Sequence, residues 1–176
     1  LGAFPASSDE WLGMLGMHGT YEANMAMNKA DLIVNIGARF DDRVTGRLDA
    51  FSPSSKKIHI DIDRSSINKI VMTDLGIVAD ATSALADLIA GWKAAGHQAA
   101  DLDEWWARIA GWRARRSLDY PDGGAEIMPQ RAIADLFKAT HGRDTIITTE
   151  VGQHQMWAAQ HYPFDAPNKW LTSGGL

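Results

Sequence analysis

Apolar positions along the chain follow two different spacings, and each spacing predicts a type of element. A nearly continuous apolar run at residues 31–36 ends at Gly37, which is typical of a buried parallel strand. Residues 57–63 alternate with period two and predict a second strand, with isoleucine at positions 58, 60 and 62. Short apolar or β-branched runs predict further strands at residues 76–79, 145–149 and 170–172.

Helical spacing separates these strands. Asp80 is expected to cap a helix that ends near Gly96, because an apolar stripe at positions 85, 88, 89 and 92 repeats at helical intervals. Asp101 and Glu104 resemble a capping box before a second stripe at 102–112. Further helices are predicted at residues 20–29, from Pro129 to a stop at Gly142, and at 151–160. Strands that alternate with helices predict an α/β protein with parallel sheets.

A change in amino-acid composition at residues 114–128 predicts a linker, since this stretch combines an arginine pair with Pro121 and a glycine pair. The linker divides the chain into a domain at residues 1–113 and a second domain at residues 129–176. The chain begins at Leu1 rather than at a methionine and ends just after another glycine pair. We therefore expect an internal piece of a longer protein.

The composition excludes several classes of binding site and of protein. The chain has 176 residues, a formal charge of −5 and no cysteine. Mild acidity argues against a nucleic-acid partner, whose binding surface would be strongly basic. The lack of cysteine excludes disulfides, cysteine-ligated zinc and iron–sulfur clusters. No apolar run reaches about 18 residues, so no transmembrane helix is expected.

Ligands of open α/β sheets bind at the carboxyl ends of the strands, so the residues after each strand are candidates. Gly37 lets a ligand approach the backbone closely, and Arg39 offers a planar cation for phosphate. Asp61 could accept hydrogen bonds from ribose hydroxyls, and Asp80 follows the third strand. Together they favour an adenine-nucleotide site, although the glycine fingerprint GxGxxG is absent. The alternatives are a loop of salt-bridged surface charges and aspartates that only form turns or helix caps.

A second candidate follows the strand at 145–149, where the chain passes through Gly152 into a helix. Free N–H groups and the positive end of a helix dipole suit a diphosphate, and Gln153 and His154 add side-chain donors. The alternative is a satisfied helix cap with a surface histidine. His154 and His161 have a spacing of two helical turns, but no third residue completes a zinc site.

Five segments closely resemble the catalytic large subunit of acetohydroxyacid synthase (acetolactate synthase), a thiamine-diphosphate-dependent family. They include Met14-Leu15-Gly16-Met17-His18-Gly19-Thr20 and Gly152-Gln153-His154-Gln155-Met156-Trp157, and they cover residues 14–20, 37–46, 59–63, 149–160 and 170–176. The likeness runs essentially end to end and is weaker over residues 64–128.

The resemblance implies that residues 1–113 are most of a Rossmann-like, FAD-binding middle domain and that 129–176 begin a thiamine-diphosphate-binding domain. It assigns FAD contacts to five segments: Leu15, Gly16, Met17 and His18; Gly37, Ala38, Arg39, Phe40 and Asp41; Asp61 and Ile62; Asp80 and Ala81; and Gly174 and Gly175. It assigns thiamine diphosphate contacts to Gln153 and His154, and the substrate channel, where family inhibitors bind, to Asp42 and Arg43. The activating glutamate and the ligands of Mg²⁺ are expected outside this chain, which leaves it without catalytic residues or metal ligands and inactive by itself.

The implied reaction condenses two pyruvates, or pyruvate with 2-oxobutyrate, with loss of CO₂ via hydroxyethyl-thiamine diphosphate, in the biosynthesis of isoleucine and valine. FAD would perform no net redox chemistry. The resemblance also implies a homodimer or homotetramer, a regulatory small subunit, and the cytoplasm of a bacterium. The alternatives are another thiamine-diphosphate carboligase or decarboxylase, and a non-catalytic nucleotide-binding module.

Overall fold

The computed structural model describes residues 1–174, which form two compact units. The split unit consists of Leu1–Ala23 together with the chain from Arg115 onward, and the continuous unit consists of Asn24–Ala114. Both units combine parallel strands with helices, which confirms the predicted α/β class. The predicted domain boundaries at residues 113 and 129 stay a prediction.

The continuous unit is built on a three-stranded parallel sheet. Its elements are α1 (Tyr21–Lys29), β1 (Leu32–Ile36), α2 (Asp42–Thr45), β2 (Lys56–Asp61), β3 (Leu75–Val78), α3 (Ala81–Ala94) and α4 (Asp103–Arg113). The strand order in the sheet is β1-β2-β3, helix α1 contributes residues to both units, and short 3₁₀ turns occupy residues 48–50 and 64–66. Among residues 1–174 the longest helix is α3, with 14 residues, and none is long and apolar enough to cross a membrane.

Three helix starts were predicted from specific capping residues, and the structure confirms two of them. The Asp80 carboxylate accepts hydrogen bonds from the backbone N–H groups of residues 82 and 83, which confirms the predicted cap of α3. Pro129 is the first residue of its helix, as predicted. The predicted capping box of Asp101 and Glu104 is wrong, because α4 begins at Asp103 and Asp101 bonds only the N–H of that residue.

One side of the sheet is open at β1, so the prediction of a buried strand is wrong. Leu32, Val34 and Ile36 are 46%, 44% and 38% exposed, and Leu75 of β3 is exposed on the same side. The sequence run of apolar residues predicts burial on both faces, whereas in the structure the opposite face of this strand, at Ile33 and Asn35, is half-buried.

The closed side of the sheet carries a small apolar core and two buried polar residues. Phe40, Phe51 and Val71 form the core, against which Met27 packs. The buried polar residues of β2 are Lys57 and His59, which alternate with the predicted isoleucines. The strand ends at Asp61, so Ile62 is not part of it and is 75% exposed.

We expect the buried Lys57 to stabilise the continuous unit through main-chain carbonyls. Its Nζ donates to the carbonyl oxygens of Ser52 and Ser55, both at 2.9 Å. Lys57→Met would remove both of these bonds from a charged donor and should lower the free energy of unfolding by about 1–3 kcal/mol, while the Ser52 carbonyl would keep its bond from Ser55 Oγ. The neighbouring Lys56 is exposed, so Lys56→Met should change it by no more than about 0.5 kcal/mol. Urea denaturation of both variants measures the difference, and equal effects would contradict the assignment.

The split unit combines a two-stranded parallel sheet with two packed helices. Its elements are α5 (Pro129–Thr140), β4 (Ile147–Thr149), α6 (Gln153–His161) and β5 (Trp170–Thr172). Strand β4 pairs with β5; it is shorter than the predicted 145–149, whereas β5 matches its prediction. Helix α5 packs against α6, and Tyr162 links them through a 2.7 Å hydrogen bond to Thr140 Oγ1.

Candidate functional site

The parallel strands of the continuous unit bring the predicted nucleotide residues to one edge of the sheet. Ile36, Ile60 and Ile77 lie in one row across the three strands. The backbone N–H of Gly37 therefore donates to the carbonyl of Ile60 at 2.8 Å, and Asp61 continues from the adjacent strand. We call this carboxyl edge of the sheet, with the turn at residues 37–41, the sheet-edge site.

The turn after β1 is anchored by one aromatic side chain and leaves its backbone accessible. Gly37 has φ +63°, and no atom lies within 4 Å of the position that a Cβ would occupy. Phe40 has φ +54° and is buried, with its ring edge-on to Phe51 at 5.8 Å and to His59 at 5.1 Å. The buried Phe40 ring therefore anchors the turn to the core, while a ligand could approach the backbone closely at Gly37.

The charged residues of this turn form a local network. Arg39 is paired with Asp41, and its side chain is 77% exposed. Asp41 also caps α2 by accepting the N–H of Arg43 at 3.0 Å. This hydrogen bond, with a smaller contribution from Arg39, holds the pKa of Asp41 below its usual value. Asp42 and the Arg43 side chain are exposed on the short helix that follows.

A cavity of about 350 Å³ adjoins the turn. Arg39, Phe40, Asp41 and Asp42 line one part of it, and Ser66 and Lys69 line another. Its volume lies within the range of small-molecule sites, and its two cations, Arg39 and Lys69, are the groups that could bind a phosphate, while Asp41 and Asp42 balance their charge. Sequence reasoning missed Ser66 and Lys69, because they follow the turn by about thirty residues and only the fold brings them to it.

Asp61 retains a carboxylate oxygen that could accept a hydrogen bond from a ligand. Its Oδ1 accepts the N–H of Asp63 at 2.8 Å, and its Oδ2 lies 3.8 Å from Nε2 of His59. His59 is fully buried, and neither of its ring nitrogens has a hydrogen-bond partner among residues 1–174. The sequence placed His59 only as a strand residue and gave no signal for this position between Phe40 and Asp61.

Asp80 and Ala81 reach the same edge through β3, but the carboxylate of Asp80 is already engaged. Its Oδ1 accepts from the N–H groups of Thr82 at 3.0 Å and Ser83 at 3.1 Å. The capping interpretation of Asp80 is thus confirmed, and a ligand contact at this residue stays a prediction.

In the split unit, residues 15–18 form a turn that exposes apolar side chains. Gly16–His18 is a 3₁₀ helix without a buried residue, and Leu15 and Met17 are 42% and 68% exposed. The turn is closed by hydrogen bonds from Gly19 N to Gly16 O and from Thr20 N to Met14 O, both 3.0 Å. We call residues 14–19 the methionine turn.

The first turn of α6 carries the two predicted diphosphate residues on the surface. Gln153 and His154 are exposed, and the chain enters the helix through Gly152 at φ +157°. A Cβ on Gly152 would lie 2.9 Å from the His154 ring. The first turn also offers backbone N–H groups, so these residues fit an anionic group.

The remaining predicted contacts lie at the end of the chain. Gly174 is exposed after β5, and Gly175 lies outside the described residues. Within residues 1–174 no cluster of three or more histidine or acidic side chains could hold a metal ion.

Two models of protein-family domains match the chain and identify its family. The model of the thiamine pyrophosphate enzyme central domain matches residues 1–88, half of the chain. The chain belongs to the thiamine pyrophosphate enzyme family. The model of the C-terminal, thiamine-pyrophosphate-binding domain of the same family matches residues 150–176, which include the first turn of α6.

Curated relatives of this chain include acetolactate synthases from bacteria and from a plant. The chain is 49% identical over its full length to the acetolactate synthase isozyme 3 large subunit of Escherichia coli and covers 31% of that protein. It is 44% identical to the large subunit of Haemophilus influenzae, with 99% of the chain and 30% of the relative covered. It is 45% identical to the chloroplastic acetolactate synthase 1 of Nicotiana tabacum, with 100% and 26% covered. These matches confirm the resemblance, and the chain spans 26–31% of the length of these relatives.

Proposed function

We propose that this chain is part of the catalytic subunit of an acetolactate synthase. The observation that carries the proposal is the identity of 43–49% to acetolactate synthase large subunits across the whole chain. The complete protein would join two molecules of pyruvate, or pyruvate and 2-oxobutyrate, with loss of CO₂, as a step toward valine and isoleucine. Bound thiamine diphosphate would supply the carbanion chemistry of this reaction.

The residues of the split unit fit a role in holding thiamine diphosphate. Gln153 and His154 stand exposed at the first turn of α6, where backbone N–H groups favour a diphosphate. They would bind and orient the cofactor. The family match over residues 150–176 supports this assignment. We assign no ligand of Mg²⁺ to this chain.

The sheet-edge site fits the nucleotide part of FAD. Arg39 and Lys69 would face its phosphates, the open backbone at Gly37 would allow close approach, and Asp61 would accept from ribose hydroxyls. Phe40, Asp41, Ile62, Asp80 and Ala81 complete this proposed site. The methionine turn and the glycines at 174 and 175 are proposed as further flavin contacts, and Asp42 and Arg43 as residues of the substrate channel.

From the likeness to acetolactate synthase large subunits we also propose an assembly for the complete protein. We expect an oligomer of catalytic subunits, with a regulatory subunit, in the bacterial cytoplasm.

Product analysis tests this proposal. The protein made from its complete gene should convert pyruvate into acetolactate only with thiamine diphosphate and Mg²⁺ present, whereas the 176-residue chain alone should form none. Acetaldehyde as the main product would indicate a decarboxylase, and turnover of glyoxylate another carboligase. Nucleotide binding without any turnover of 2-oxoacids would indicate a non-catalytic module and contradict the proposal.

A further inference from the structure

Helix α6 contacts two other segments of the split unit through glutamine side chains. Nε2 of Gln155 donates to Thr172 Oγ1 at 2.7 Å and to the carbonyl of Ser173 at 2.9 Å. Nε2 of Gln160 donates to the carbonyl oxygen of His18 at 3.0 Å. The second bond joins residues separated by 142 positions in the chain and fixes the methionine turn to the last turn of α6.

The methionine turn has little burial of its own to hold it in place. None of the residues of its 3₁₀ helix is buried, and Leu15 and Met17 present apolar side chains to solvent. Its two internal backbone bonds set its shape, and the bond from Gln160 ties it to α6 at the point where the turn leaves its 3₁₀ helix. Since Leu15 to His18 are proposed flavin contacts, the placement of this backbone should matter for the cofactor.

The end of α6 is itself rigidly held, which allows Gln160 to act as a fixed support. The ring of the next residue, His161, packs edge-on against Tyr120 at 5.6 Å. Tyr162 follows and is buried, with its hydroxyl 2.7 Å from Thr140 Oγ1 on α5. Because the two residues that follow Gln160 are anchored, the backbone that carries its side chain is held in place at the end of α6.

The chain that follows the turn is anchored separately. The backbone N–H of Tyr21 donates to Ser117 Oγ at 3.0 Å, and the Arg115 guanidinium lies 4.1 Å from the centre of the Tyr21 ring. Removing the bond from Gln160 should therefore loosen the methionine turn without releasing the helix that follows it.

We propose that Gln160 is a positioning residue for flavin: it does not touch the cofactor but holds the carbonyl of His18, and with it the methionine turn, in the flavin-binding geometry. This role rests on the proposed flavin site. Gln160 is absent from the residues that the family resemblance assigns to either cofactor.

Three variants of the complete protein separate hydrogen bonding from packing. Gln160→Met keeps the length of the side chain and removes the donor. Gln160→Glu places an acceptor against the His18 carbonyl, and Gln160→Lys restores an N–H donor. The dissociation constant of FAD should rise about tenfold in the Met variant, more in the Glu variant and less in the Lys variant. Gln98→Met is the matched control, since Gln98 is exposed and its amide reaches only the Gly96 carbonyl at 3.5 Å.

Two further measurements distinguish a loosened turn from a damaged helix. The dissociation constant of thiamine diphosphate should stay unchanged, and amide hydrogen exchange of residues 14–19 without flavin should become faster in the Met and Glu variants. Unchanged exchange and unchanged FAD affinity would overturn the role of Gln160, and so would an equal loss of both cofactors, which indicates only a damaged helix. A wild-type protein that binds no flavin would refute the proposed flavin site, whereas the exchange rates would still test the support of the turn.

Discussion

Arg39→Ala should leave the complete protein without bound flavin while it still binds thiamine diphosphate. Arg39 lies at the carboxyl end of β1 and shares a cavity with Lys69, where the phosphates of the nucleotide are proposed to lie. A guanidinium can make two parallel, charge-assisted hydrogen bonds to a phosphate. Losing one partner of a charged contact that the bound nucleotide covers should weaken FAD roughly 30- to several-thousand-fold. Arg39→Lys should recover only part of the affinity, because a single ammonium cannot reproduce the fork.

Arg47 offers a matched control for this experiment. It pairs with Asp49 at the same two-residue spacing as Arg39 with Asp41, and its side chain is 80% exposed, against 77% for Arg39. Arg47→Ala should therefore retain flavin, as seen from the yellow colour of the purified protein and from titration with FAD. Full flavin occupancy in Arg39→Ala would show that the pair with Asp41 is only a surface salt bridge.

Gly19→Ala should disrupt the methionine turn and lower both stability and flavin affinity. Gly19 has an ordinary backbone conformation, so strain in φ is not the cause. A Cβ at this position would lie 2.4 Å from the Met14 carbonyl oxygen and 2.9 Å from the backbone nitrogen of Gly16. Both atoms are backbone and cannot move without opening the turn. The expected loss in the free energy of unfolding is about 1–3 kcal/mol, as for other overpacked sites.

Gly91→Ala should have the opposite effect on the free energy of unfolding. Gly91 lies inside α3, and nothing occupies the space within 4 Å of its Cβ position. Alanine should stabilise the helix by up to about 1 kcal/mol. Urea denaturation and FAD titration compare the two variants, and a Gly19→Ala protein with wild-type values in both would mean that the turn is not packed as described.

The sequence predicts most elements of the fold because their signals are local. The cap of α3 at Asp80 and the start of α5 at Pro129 depend on residues within one helical turn, and both predictions are confirmed. The burial of β1 depends on what covers each face of the sheet, which a run of apolar residues cannot reveal. Lys57 also escaped prediction, because its buried ammonium bonds main-chain carbonyls, and carbonyls carry no side-chain signature.

The same distinction applies to the candidate site. Gly37, Arg39 and Asp61 follow strands, so the rule that ligands bind at strand ends predicts that they meet at one edge, and the structure places them there. Lys69 reaches this edge only through the fold of the 64–70 segment. Gln160 contacts a turn at the other end of the chain, and no spacing in the sequence connects the two.

We propose that the chain contributes to two cofactor sites, with FAD at the sheet edge and thiamine diphosphate at the first turn of α6. Titration of FAD and thiamine diphosphate into the complete Arg39→Ala and His154→Ala proteins separates the two sites. FAD binding should weaken only in the first variant and thiamine diphosphate binding only in the second. Loss of both cofactors in either variant, or of neither in both, would contradict the two sites.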